Sequence, residues 1–393
     1  MMKFIPNRYI YLLNIFLAII IVALIYPGWS KQGPYQKKVD ASLESYMLSE
    51  MHACFQKVSG KNQCYNQVAV NVLKKNDLQQ AITVLEKNQD QSELFQSCHE
   101  MGHFLGREEY KRTKKVNEAL SVCTPVCFAG CFHGVLEGHL IEKKIGLDQP
   151  ELLSKEITKI CGLKQDYAQA EFFNQCLHGL GHALMFLTNA NLPTALKLCD
   201  NLQTKSEQDW CYSGSFMENS TSSTNKDHPS KYLKADDILY PCNSLDGKYL
   251  EMCYALQSFY FADVSQYDWQ KTISLCLLVP TPYQETCIRS VGQNLVGFSQ
   301  DFNLIKNNCY LVDSQDLRQA CIQGVILALS SKYGGDFSKM MQFCEVLDIS
   351  YKRGCYSQVG ISSKDWLTNI QDLKKVCSSI REVEYQDACL KPL

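Results

Sequence analysis

The sequence predicts an all-α protein: an α-solenoid of about ten 34-residue helical hairpins, each stapled by a disulfide, behind an N-terminal transmembrane segment. Three observations predict it. Cysteines recur in close couples, and the second member of each couple falls at 64, 98, 131, 176, 211, 253, 287, 321, 355 and 389, so that the last four intervals are all 34 residues. Apolar residues follow a helical period and no strand pattern is present, as in Ile322, Val325, Ile326 and Leu329. Residues 10–29 form a single uncharged hydrophobic run.

That run holds only Asn14 as a strongly polar residue and is long enough to cross a bilayer. Lys3 and Arg8 precede it as in a signal sequence, no small-x-small cleavage site follows, and Tyr26, Pro27, Gly28 and Trp29 look like an interfacial stop. The reading is an uncleaved signal anchor over residues 1–30 that ties the chain to a membrane, with a cleaved signal peptide as the alternative. A juxtamembrane linker follows over 31–45. Lys31, Lys37 and Lys38 leave the orientation open on charge alone. The cysteines decide it, because 20 of them behind an export segment point to an oxidising compartment: periplasm, extracellular space or secretory lumen.

The couples are Cys54 with Cys64, Cys161 with Cys176, Cys199 with Cys211, Cys242 with Cys253, Cys276 with Cys287, Cys309 with Cys321, Cys344 with Cys355 and Cys377 with Cys389. Four cysteines remain; Cys123 with Cys131 and Cys98 with Cys127 is the expected pairing, and another is open. One late unit shows the local logic. Asp313 or Ser314 caps a helix through DLRQACIQGVILALS, Gly334 and Gly335 end it, and a second helix, DFSKMMQFCEVL, carries Cys344 near its end. Each unit is thus an antiparallel hairpin in which a cysteine late in one helix is tied to a cysteine early in the next. Closing a loop of about 12 residues contributes ~3 kcal/mol in the chain-entropy model.

The units divide into N-terminal repeats over 46–217, a polar loop over 218–240 centred on ENSTSSTNKDHPSK, and C-terminal repeats over 241–393. Charge excludes one function class. Lys plus Arg number 39 against 41 for Asp plus Glu, a net charge of -2, so the basic stripe of a nucleic-acid binder is absent.

The 34-residue hairpin period resembles tetratricopeptide and Sel1-like repeats, and the disulfide at each hairpin looks like the cysteine-rich Sel1-like proteins. The resemblance covers roughly residues 40–393 and implies a right-handed stack of helix pairs whose concave face binds a partner: a peptide, a glycan or another protein.

Six of the eight histidines lie in three segments built alike: CHEMGH at 98–103, CFHGVLEGH at 131–139 and CLHGLGH at 176–182. On a helix, His99 and His103, His133 and Glu137, and His178 and His182 are i,i+4 pairs sharing a face. Relative to the second cysteine of their unit, His99 and His103 occupy slots one and five, and His178 and His182 slots two and six; all lie on or beside the packed face. The expected metal set is His99, His103, His133, His178 and His182, completed by Glu137 or His139, around a mononuclear or dinuclear transition-metal site holding zinc, iron or copper, for which neutral imidazoles are ready ligands. HEMGH also resembles the zincin metalloprotease motif, which implies a general-base role for Glu100 and ligand roles for His99 and His103. Gly134, Gly179, Gly214 and Gly324, each three residues after a second cysteine, are read as close helix contacts, and Arg107, Glu108 and Glu109 as a solvated face, with partners behind the metal ligands as the alternative. The expected function is a metal-dependent enzyme, an oxidoreductase or hydrolase. The alternative is a binding scaffold in which the histidines only pack.

Overall fold

A computed structural model describes residues 40–91, 97–143, 147, 149–167, 169–223, 230–367 and 369–391. The hydrophobic run 10–29 and most of the linker expected over 31–45 lie outside the described residues. Among those described, no helix is long and apolar enough to cross a membrane, and no strand is present.

Ten helices carry the second cysteines: α2 (Lys61–Leu73), α4 (Cys98–Thr113), α6 (Gly130–Lys143), α8 (Ala170–Leu187), α10 (Lys205–Thr221), α11 (Leu250–Val264), α13 (Thr281–Phe298), α15 (Gln315–Lys332), α17 (Ile349–Ser363) and α19 (Val383–Leu390). Each packs on the next in chain order, forming one continuous strip. Their partners run along its other side: α1 (Ala41–Phe55), α3 (Leu78–Asn88), α5 (Val116–Ser121), α7 (Pro150–Ile157), α9 (Leu192–Cys199), α12 (Trp269–Leu277), α14 (Phe302–Cys309), α16 (Phe337–Glu345) and α18 (Ile370–Ser378). One unit has no partner helix, Cys242 sitting in a single 3-10 turn, Cys242–Ser244, and Cys123 and Cys161 lie just past the ends of α5 and α7.

Local chemistry accounts for the boundaries. Asp40 accepts a hydrogen bond from the Ser42 amide and starts α1 at Ala41, inside the stretch expected to be linker. Ser314 caps α15 through the Leu317 amide, and Gly334 and Gly335 follow it at φ of 60° and 79°, a region open to glycine without strain. Helix α10 continues through Thr221, so the start of the stretch expected to be loop is helical. The ten sulfur pairs are those of the eight couples plus Cys98–Cys127 and Cys123–Cys131, with Cα atoms 5.4 to 5.8 Å apart, within bridging distance. All 20 cysteines of the sequence are used, and these disulfides suggest an oxidising, extracytoplasmic compartment.

Glycines set how closely the strip packs. A Cβ on Gly134 would overlap the His103 carbonyl oxygen, one on Gly214 the His178 carbonyl oxygen, and one on Gly324 the Arg289 carbonyl oxygen. The backbones of α4 and α6, α8 and α10, and α13 and α15 therefore meet without side chains between them.

The strip then closes on itself within the Asp40–Leu393 unit. Beyond α3, Asp90 accepts from the Tyr333 hydroxyl at 2.9 Å and pairs with Lys332 at 3.2 Å, while its carbonyl accepts from the Gln300 side chain. The Glu171 amide donates to the Asp365 carbonyl at 3.1 Å, and the Phe172 and Trp366 rings meet edge to face. These contacts join repeats more than 150 residues apart and make the inner face of the strip the wall of a cavity of about 1360 Å³.

Candidate metal centre

Five histidines gather on the cavity wall where α4, α6 and α8 lie side by side. The Nε2 atoms of His99 and His103, one turn apart on α4, stand 3.0 Å from each other, and Nδ1 of His133 on α6 is 3.3 Å from His103 Nε2. Ligand atoms of these three lie within 4.8 Å of one another, close enough to hold a metal ion. On α8 the same device recurs, with Nε2 of His182 3.2 Å from Nε2 of His178.

The other ring nitrogens fix the tautomers. His99 Nδ1 faces the Cys127 carbonyl at 2.9 Å, which only accepts, so Nδ1 carries the proton. That carbonyl is presented by a left-handed turn of three non-glycine residues, Cys127, Phe128 and Ala129, at φ of 53° to 59°; such strain persists only where the surroundings enforce it. His103 Nδ1 donates to Glu137 at 2.9 Å, and His182 Nδ1 to Glu218 at 2.8 Å. His178 Nδ1 donates to the Ser213 hydroxyl at 2.7 Å, because that hydroxyl spends its own proton on the Trp210 carbonyl. All four rings therefore turn Nε2 into the cluster, and that nitrogen is unprotonated wherever the ring is neutral. An imidazole whose Nδ1–H is held by a carboxylate, carbonyl or hydroxyl is the usual metal-ligating arrangement.

Two lone pairs 3 Å apart repel unless a cation lies between them. Protonating one ring relieves the contact between His99 and His103: burial opposes the charged form of His103, but Glu137 outweighs it and raises the pKa. No such relief exists on α8. Burial holds His178 well below the ordinary histidine range and lowers His182 to about 3. His99 and His133 are pushed down by burial and by the neighbouring rings, so four of the five are neutral imidazoles at pH 7. His133 Nε2 is buried and has no hydrogen-bond partner. Imidazole nitrogens ~2.0 to 2.1 Å from one ion stand about 3 to 3.5 Å apart, which is the spacing found here.

Two expected ligands stand elsewhere. Both Glu137 oxygens are taken, one by His103 and the other by Arg107 Nε at 2.5 Å; despite burial, Arg107 and His103 lower its pKa to about 2. Glu137 orients His103 and is not a ligand. His139 lies six residues from His133, which turns it roughly 120° around the helix. It bonds the Tyr110 hydroxyl at 3.0 Å and Glu156 at 2.5 Å, away from the cluster. Glu100 lines the cavity beside His99 and His103, its pKa raised by burial.

Two positioning residues, Glu218 and Ser213, were not anticipated, and Arg107 only as the alternative to a solvated face. Arg107 is no solvated flank: its guanidinium lies 4.9 Å from both the Phe104 and Phe186 ring centres and neutralises Glu137. Glu218 fell in the stretch expected to be loop. Ser213 sits two residues after Cys211, the slot that His133 and His178 occupy in their units, and this repetition was the signal available for it.

No family model, no curated protein and no solved structure matches this chain. The resemblances to Sel1-like and tetratricopeptide repeats and to zincins therefore gain no support from relatives, and the chemistry rests on the site itself.

Proposed function

We propose that this chain is an extracytoplasmic metalloenzyme, an oxidoreductase or hydrolase, whose centre is the histidine cluster His99, His103, His133, His178 and His182. The observation that carries it is the grouping of His99, His103 and His133 within liganding distance, with the His178–His182 pair beside them and four of the five rings fixed from behind by an acceptor at Nδ1. A bound transition metal would supply Lewis-acid or redox chemistry, and an all-imidazole set suits zinc, copper or iron.

The chain's own residues would do the rest. Glu137, Glu218, Ser213 and the Cys127 carbonyl hold the ring orientations, so the ligands are preorganised before any ion arrives. Glu100, its pKa raised by burial, would accept or return a proton from a substrate in the cavity. Trp210, Phe259 and Trp366 give that cavity aromatic walls; they support the second reading as well, a scaffold that encloses a peptide or glycan. Metal content separates the two. Protein purified without chelator should carry metal, and the double variant His103→Ala/His182→Ala should lose it. Fewer than about 0.2 ions per chain in the wild-type protein, the content of an adventitious contaminant in place of a stoichiometric ligand set, would sink the enzyme reading and leave the scaffold.

A further inference from the structure

The five rings are not evenly spread. His99, His103 and His133 form a triangle with ring centres 4.6, 5.2 and 5.1 Å apart. His133, His178 and His182 form a second, with centres 5.1, 4.9 and 4.9 Å apart. The distances between the two pairs are longer, 5.6 Å from His103 to His182 and 6.3 Å from His99 to His182. The triangles share one corner, His133, and each remaining side is an i,i+4 pair on its own helix with Nε2 atoms facing at 3.0 or 3.2 Å.

His133 differs from the other four in using no ring nitrogen for an anchoring hydrogen bond. Its Nδ1 is turned to the α4 pair, 3.3 Å from His103 Nε2. Its Nε2 is buried and unpartnered on a ring packed against α8: a Cβ on Gly179 would lie 2.9 Å from His133 Cδ2 and 3.0 Å from its Cα. Gly179 thus lets the ring sit between the two helices. The other rings, anchored at Nδ1, have one nitrogen each to offer; His133 has two.

From this arrangement we infer that the centre holds two divalent transition-metal ions, one at His99 and His103, one at His178 and His182, with the His133 ring shared between them through Nδ1 and Nε2. As the shared ligand His133 gives up its one ring proton to solvent. The inference rests on the metal-centre reading above and adds its nuclearity and the role of His133.

The test loads full-length, disulfide-intact protein with copper(II) chloride and reads bound copper after desalting together with the electron paramagnetic resonance spectrum. The wild-type protein should saturate at two copper ions per chain with a spin-coupled spectrum. His99→Ala/His103→Ala and His178→Ala/His182→Ala should each bind one, with an uncoupled signal. His133→Gln should lose the coupling, and circular dichroism of every variant checks its helix content. Saturation of the wild-type protein at one ion that requires all five histidines overturns the two-ion inference and leaves the metal centre standing. Two ions with the same spectrum in wild-type protein and His133→Gln overturn the sharing. No copper at all overturns both readings. Should His133→Gln fail to fold, the wild-type stoichiometry and the two pair variants still decide.

Discussion

The repeats from α4 to α10 and those from α11 to α19 are built on one frame and carry different chemistry. In both halves disulfides tie a cysteine at or beyond the end of one element to a cysteine early in the next long helix, Cys98–Cys127 in the first half being the exception, and glycines let neighbouring long helices touch. The slots two and six after the second cysteine diverge. They hold His133 and Glu137, and His178 and His182, in the first half; in the second they hold Ala255 and Phe259, Arg289 and Gln293, and Gln323 and Leu327. Several of these distal side chains line the same cavity as the histidines. The frame therefore fixes where a side chain points, and the residue in the slot decides whether that point is a ligand, a wall or a polar contact.

The largest effect that would sharpen this comparison is in metal content. Exchanging both His103 and His182 for Ala should take bound metal from stoichiometric to below about a tenth of that, whereas Arg289→Ala in a corresponding distal slot should leave it unchanged; elemental analysis reads both, and a drop with Arg289→Ala would break the division of labour.

Next come the staples. Removing Cys309–Cys321 by paired Ser substitutions, or removing Cys98–Cys127, should each cost ~3 kcal/mol in urea unfolding. Only loss of the second should weaken metal binding as well, because the Cys127 carbonyl holds His99. Equal metal affinity in the two variants would show that the turn holds its shape without its disulfide.

The seam where the halves meet should respond to pH. Burial raises the Glu171 carboxyl to about 7, next to Gln175 and Ser331. A raised folded-state pKa favours the protonated form, so this contribution is fully present below the unfolded value near 4.5 and is lost as pH rises through about 7. It is worth about 3 kcal/mol at most. Glu171→Gln should flatten the dependence of the urea midpoint between pH 5 and 8; an unchanged slope would place the titration elsewhere.

The smallest effect belongs to the orienting groups. Glu218→Gln and Glu137→Gln should each lower metal affinity by about 10 to 100-fold in competition titrations, the range for residues behind a ligand, while Ser258→Ala on α11 should not. If Glu218→Gln behaved like wild type, His182 would be held by packing alone.

Much of the fold was legible because it is local. Eight cysteine couples lie 10 to 15 residues apart in sequence, so spacing and helical period together specify which of those sulfurs meet, while the pairing of Cys98 with Cys127 and Cys123 with Cys131 is left open by the sequence and is fixed by the fold. The i,i+4 histidine pairs were legible for the same reason, since one turn of helix brings i and i+4 to one face whatever surrounds it. His139 could have been set aside on that geometry too, because six residues turn it away from His133.

Other features depend on contacts the chain makes only after it has curled. Arg107 stands in a run of charged residues on one helix, and nothing local shows that it is drawn inward to neutralise Glu137 while Glu108 stays with Lys111. Glu218 looks like the first residue of a polar loop until α10 is packed beside α8 and its carboxylate meets His182. The sequence by itself determined the helical hairpins, eight of their staples and the paired imidazoles, because those follow from short-range spacing. Only the tertiary structure decided that five rings meet at one wall of a cavity and that carboxylates stand behind two of them, because both require surfaces far apart in the chain to be buried against one another.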